Sequence, residues 1–270
     1  MPALADVLAV AHTLWPLSGA EPWDAPGLVT GDPAAEVERI LLAVDAVAET
    51  VDEAVDAGAQ LLLTHHPLLL RGVTTVAEDR YKGALVARLI RADCALLAAH
   101  TNADVVETGT SAVLAERIGL TGLRPIVPDE TGARGLGRVG TLPEPTTLGR
   151  LARHLADLLP QTATGVRAAG DFDREIRRVA VCGGAGDSLL GHPEVLASDV
   201  YLTADLRHHP ASEAIEQSRI AGGPALLDVS HWASEWLWLD VAADELRREL
   251  PGVEVLVSDT RTDPWDFAVV

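Results

Sequence analysis

The chain has 270 residues, 48% of them hydrophobic, which suffices for one large domain or two modest ones. Its 40 Asp+Glu exceed its 21 Lys+Arg, and the formal net charge of −19 disfavours nucleic-acid backbones and anionic membranes as partners. Two separated cysteines, Cys94 and Cys182, form no CxxC, so neither a disulfide framework nor a thiolate zinc site is expected.

In chain order, the pattern alternates short apolar runs with amphipathic ones. Arg39–Val44 reads as a buried strand. Val47, Val51 and Val55 then recur at helical spacing, with Gly58 as the stop. Gln60–Thr64 is the next strand and ends at two histidines. Gly83–Asp93 reads as a helix, Cys94–Ala99 as a strand ending at His100, and Ser111–Leu120 as a helix. This series implies a mainly parallel sheet. A Gly/Pro-rich crossing segment, Thr121–Gly137, interrupts the alternation.

The alternation then restarts with a strand at Arg138–Leu142. Thr147 caps a helix that turns Leu148, Leu151, Leu155 and Leu158 inward, and Pro160 closes it. Arg177–Ser188 is a strand running into a Gly-rich turn. Strands Asp199–Asp205 and Pro224–Ser230 follow, then a helix over His231–Leu250 and a strand over Val253–Ser258. The fold class expected is α/β: two similar lobes with mainly parallel sheets. Residues 1–125 plus 225–270 form the first lobe, which carries most of the site, and 126–224 the second. No apolar run has bilayer length, and no basic-then-apolar leader is evident, so a soluble cytoplasmic protein is the expectation.

The chemistry gathers at strand ends. His65 and His66 follow one predicted strand and His100 and Asp104 another. Asp205, His208 and His209 follow a third, and His231 and Glu235 a fourth. Open α/β sheets collect ligands beyond the carboxyl ends of their strands. Imidazole and carboxylate without thiolate suit zinc, manganese, iron or cobalt. His231 and Glu235, four apart on a helix, share a face. His65 and His66 are adjacent. Pro67 biases His66 toward an extended backbone, so the two rings are expected to point apart, to chelate one ion badly and to serve one each of two ions. Two ions of this kind activate a water for hydrolysis. A lone histidine at a strand end is more often structural, which is the reading for His12, His154 and His192. For His208 and His209, a supporting, substrate-contacting or plain turn role stays open. "CGGAGDS" (Cys182–Ser188) has phosphate-cradle glycines but lacks a Walker ending, so a tight turn is the better reading. Trp232, Trp236 and Trp238 are read as packing residues.

These motifs together resemble one family. "WDAPGLVTGD" (Trp23–Asp32) is similar to the WDNxGLxxGD opening of the Nif-three-like family, the dinuclear-metal-centre hexameric proteins described as type 2 GTP cyclohydrolase I. "LTHHPLLLRG" (Leu63–Gly72), "YKGALVARLIRADCALLAAHTNAD" (Tyr81–Asp104), "LTADLRHH" (Leu202–His209) and "DVSHWASE" (Asp228–Glu235) continue the likeness over almost the whole chain. The resemblance implies a Nif-three-like fold and two divalent metal ions per subunit. It implies His65, His66, Asp104, His231 and Glu235 as ligands, with Glu235 bridging and His100 close by. It further implies a toroidal homohexamer built as a trimer of dimers. Its activity would be hydrolytic: a nucleotide, GTP, opened at the guanine ring with formate release. Glu235, His100 and His208 are then the catalytic candidates. The rival reading is a non-catalytic metal-binding or metal-delivery ring protein. Two departures stand out: Ala204 occupies a common glycine position before Asp205, and Ala25 replaces the Asn of the opening motif.

Overall fold

The computed structural model describes residues 1–269. In chain order its elements begin with α1 (Leu4–Leu14), β1 (Gly27–Thr30), β2 (Arg39–Ala43), α2 (Ala48–Asp56), β3 (Leu61–Thr64), α3 (Tyr81–Arg91), β4 (Ala95–Ala98) and α4 (Thr101–Asp104). They continue with α5 (Thr110–Ile118), β5 (Thr121–Arg124), β6 (Val127–Pro128), β7 (Gly135–Leu136), β8 (Arg138–Thr147), α6 (Leu148–Leu158), β9 (Arg167–Ala169) and β10 (Glu175–Ala185). The last are α7 (Pro193–Leu196), β11 (Val200–Ala204), α8 (His208–Ala221), β12 (Ala225–Val229), α9 (His231–Glu249) and β13 (Glu254–Val257). No helix among the described residues is long and apolar enough to cross a membrane.

The chain separates into two compact units. The first is Met1–Val106 with Leu239–Thr262, and the second is Glu107–Trp238 with the residues from Asp263 onward. These limits differ from those read off the sequence. Residues 107–125 pack with the second unit because α5 rests on β8 and β10. Strand β12 also lies there, paired in parallel with β11.

The first unit holds a five-stranded sheet in the order β1-β4-β3-β2-β13. Strands β4, β3, β2 and β13 are parallel, and β1 is an antiparallel edge. The parallel strands are short and almost wholly apolar, as strands covered on both faces must be. Ala43, Thr64 and Ala98 stand side by side at their carboxyl ends. Leu41, Leu62 and Leu96 feed one apolar cluster with Val51 of α2 and Leu85 and Leu89 of α3.

The second unit holds a six-stranded sheet in the order β5-β8-β10-β11-β12-β9. Only β10, β11 and β12 are parallel, so the sheet is mixed rather than mainly parallel. Ala180, Tyr201 and Leu226 pack here with Ile126, Val139 and Val195. Helix α6 matches its expected limits. The Thr147 hydroxyl caps it by accepting from Arg150 N–H (3.3 Å), and Leu148, Leu151 and Leu155 are buried. Leu158 is only half-buried, and Leu159 takes the interior place beyond it.

Candidate metal centre

In the first unit, sheet register assembles the site. His65 and His66 directly follow β3, and His100 comes two residues after β4. Because β1 runs antiparallel with Gly27 opposite Ala98, the segment before it passes the carboxyl end of β4 and brings Asp24 to His100. Because β13 runs parallel to β2, the residues after it reach Asp45, whose carboxylate accepts from the Thr262 hydroxyl.

Each ring is held by its Nδ1. His65 Nδ1–H donates to the Ala99 carbonyl (2.8 Å). His66 Nδ1–H donates to Asp45 Oδ1 (2.7 Å), and His100 Nδ1–H to Asp24 Oδ1 (2.7 Å). A carbonyl or carboxylate only accepts, so the proton sits on Nδ1 and Nε2 is the basic nitrogen. Asp104, at the end of α4, lies with Oδ1 3.6 Å from His65 Nε2. Potential ligand atoms of His65, His66 and His100 lie within 4.8 Å of one another. His65 is fully buried, whereas the side chains of His66 and His100 keep 25% and 13% of their exposure.

The adjacent histidines do not splay apart as an extended strand would make them. Their centroids are 5.1 Å apart with the planes at 45°, and each lies 5.2–5.5 Å from His100. The reason is that β3 ends at Thr64. The chain bends there, with His65 N–H and His66 N–H donating to the Ala43 and Val44 carbonyls. Ring direction therefore does not by itself argue for two ions. What differs is the anchor, a carbonyl for His65 and a carboxylate for His66.

In the second unit, Asp205 follows β11 and His231 comes two residues after β12. His231 Nδ1–H donates to Asp205 Oδ2 (2.8 Å), and its Nε2 lies 3.1 Å from Glu235 Oε1 one turn along α9. Asp205 itself adopts φ +56°, the left-handed region that Asp tolerates better than most residues. Ala204, in place of a glycine, stays within β11 and needs no such freedom. Gly184 does need it. It has φ +66°, and a Cβ there would meet Glu235 Oε1 at 2.4 Å and His231 Nε2 at 3.2 Å. The sequence suggested a tight turn at these glycines, but Gly183 and Gly184 lie in the last residues of β10, and the strand end thus leaves room beside the His231–Glu235 pair. It cradles no phosphate through its first two amides, since Gly183 N–H and Gly184 N–H donate to the hydroxyls of Ser111 (3.0 Å) and Ser234 (2.9 Å).

The electrostatics suit a cation. Burial opposes protonation of His231, but Glu235 and Asp205 outweigh it and hold its pKa well above the ordinary value. Two carboxylates around one imidazole make a spot of excess negative charge. Burial, then the neighbouring His65, lower the pKa of His100 against the pull of Asp24 and Asp104. Burial would raise Asp24, yet its bonds to His100 and Thr101 bring it below the usual carboxylate range. In each unit the donor set is imidazole and carboxylate, with an acceptor on the Nδ1 of every ring and Nε2 turned away from that anchor. That is the pattern of histidines prepared for zinc, manganese, iron or cobalt, so the residues fit the implied metals.

Of the remaining candidates, His208 and His209 begin α8, exposed, with centroids 5.2 Å apart. Neither belongs to a cluster of potential ligands among the described residues. His154 is exposed, and His192 Nδ1 caps α7 by accepting from Glu194 N–H (3.2 Å). Trp232 and Trp238 are buried, as packing residues are. Metal-ligand spacing did not single out Asp24, Asp45 and Asp205 as ring anchors. Asp24 and Asp205 did stand inside the quoted motifs, which was the available signal.

The profile of the family described as Duf34/NIF3 (NGG1p interacting factor 3) matches residues 2–264. A Streptomyces coelicolor protein named "GTP cyclohydrolase 1 type 2 homolog" is 51% identical, over 98% of this chain and 94% of its own. The fold is that of a Bacillus cereus protein related to NIF3, with TM-score 0.89 over 99% of both chains at 21% identity. A Staphylococcus aureus hypothetical protein superposes with TM-score 0.88 over 99% of both chains at 27% identity.

Proposed function

The chain belongs to the Duf34/NIF3 family, and from that premise we propose that it is a metal-dependent hydrolase acting on a small molecule with two divalent cations. The ligands in this proposal are His65, His66 and Asp104 on the first unit and His231 and Glu235 on the second. The observation that carries it is the anchoring of the four imidazoles, each with its Nδ1–H given to a carbonyl or carboxylate. Bound there, the cations would supply Lewis acidity and lower the pKa of a coordinated water.

The protein's own groups orient and move protons. Asp45, Asp205 and the Ala99 carbonyl fix the rings of His66, His231 and His65. His100, its pKa lowered and its ring steered by Asp24, is neutral near pH 7 and takes the role of proton acceptor. It is favoured over His208, which stands exposed at the start of α8. A ring of six copies belongs to the same proposal, and light scattering at about six times the chain mass is its check.

The name of the Streptomyces relative makes GTP the substrate to try, and hydrolytic opening of its guanine ring at C8 would release formate. Protein loaded with manganese or zinc is incubated with GTP and formate is measured. Turnover that disappears in Glu235→Gln, with the assembly intact, is the expected result. Reaction with other nucleotides or phosphoesters but not GTP sinks the substrate and leaves the class standing. A metal-loaded protein inert toward all of them sinks the hydrolase and favours metal delivery.

A further inference from the structure

Trp23 stands one residue before Asp24, on the segment that β1 carries past the end of β4. Its side chain is 60% exposed, whereas Trp15 and Trp238 are 1% and 0% exposed. Folding gains by burying an indole, and this one is held out in water. It is also held firmly. Glu21 N–H donates to the Thr101 hydroxyl oxygen (2.9 Å) on one side of it. On the other, the Asp24 carboxylate accepts from the His100 ring (2.7 Å), from Thr101 N–H (3.0 Å) and from the Thr101 hydroxyl. The indole meets His100 edge-on, with centroids 5.8 Å apart and planes at 76°. His100 in turn touches His65 and His66, and all these residues belong to the first unit.

We propose that Trp23 is the stacking platform for a planar heteroaromatic ring of the substrate, a purine-type base, beside the imidazole cluster. This rests on the hydrolase reading above and names the substrate class for the same site. The chemistry selects the ligand. A flat ring stacked on an indole sits about 4.5–7 Å from it centroid to centroid, and the same indole has its own centroid 5.8 Å from that of His100. An aliphatic group gains little from a rigid flat face. A cationic group, the other natural guest of an indole, would be repelled by the divalent ions the cluster is built to hold.

The test uses manganese-loaded protein and three probes: GTP, guanosine, and ribose 5-phosphate as the ligand without a base. Binding is measured by calorimetry, with metal content and assembly size determined on the same samples. Trp23→Ala weakens GTP and guanosine by roughly 5- to 150-fold, the range that losing one base–aromatic stack produces. Trp23→Phe recovers most of that loss, ribose 5-phosphate is unaffected, and metal content is unchanged. Guanosine bound as tightly by Trp23→Ala as by the parent overturns the proposal. So does a parent that binds neither guanosine nor GTP, or an equal loss for ribose 5-phosphate. A changed assembly with unchanged guanosine affinity also overturns it and makes Trp23 an interface residue. Metal content reports separately on the cluster, so the stacking role can fail while the metal reading stands.

Discussion

Asp24, Asp45 and Asp205 hold the rings of His100, His66 and His231, yet none sits at a ligand-like spacing from the histidine it serves. Each pair meets only because strands distant in sequence lie side by side in a sheet. The histidines were legible as residues following apolar runs; their anchors needed the sheet. Asp45→Asn replaces a charged acceptor by an amide of the same shape. Metal affinity should fall about 10- to 100-fold, with circular dichroism unchanged, in a calorimetric titration with zinc or manganese. Cys94 shows residue-scale burial of another kind. Burial pushes its thiol from 9.0 up to about 11. The folded state therefore keeps a proton that the unfolded chain releases as pH rises past 9. The associated stability is complete below that value and is lost as pH climbs to about 11. Urea unfolding at pH 8 and pH 10.5 should show the parent losing up to about 2 kcal/mol more than Cys94→Ala over this interval. A native thiol that maleimide labels rapidly at pH 8 would contradict the burial.

At the scale of elements, the parallel strands β2, β3, β4, β11 and β12 fall within a residue or two of their sequence limits, since an uninterrupted apolar run needs no context. Strand β8 shows where reading stops. Pro143 and Pro145 suggest an end at Leu142, but the strand continues to Thr147. The ladder with β10 is irregular between Ile176 and Arg178, opposite those prolines, so missing amide donors cost little there. Strand β1 is a half-buried antiparallel edge of four residues and carries no alternation to detect. Helix α8 offers no fully buried residue, so its sequence lacks the apolar stripe that marks α6. The carboxyl end of β10 gives the sharpest element-scale test. Gly184→Ala forces a Cβ into φ +66° and against Glu235. The strain alone costs roughly 1–2 kcal/mol. Glu235 must also move, so metal affinity should drop together with melting temperature. A stable variant with parental metal binding would show that the space beside Glu235 has no role.

For the whole molecule, composition excluded more than it specified. A net charge of −19 predicts no retention of duplex DNA in a mobility assay at low salt, and a clear shift would reverse that reading. Metal binding should register as global stability, because cations that bind the folded chain alone shift unfolding by mass action. Chelator-treated protein given manganese at about 100 times its Kd should gain about 2.7 kcal/mol, or roughly 5–10 °C in melting temperature. A melting curve indifferent to both chelator and metal would count against a built-in site. The order of strands has a consequence for how the protein is made. Strand β13 is the parallel neighbour of β2, yet it leaves the ribosome more than two hundred residues later, after the Glu107–Trp238 portion of the second unit. At usual translation rates, the apolar edge of β2 waits roughly 10–40 s for its partner. During that interval the nascent first unit presents an unpaired strand, Arg39–Ala43, of the kind that captures other chains. Slower synthesis lengthens that exposure, and a chaperone that covers the strand shortens it.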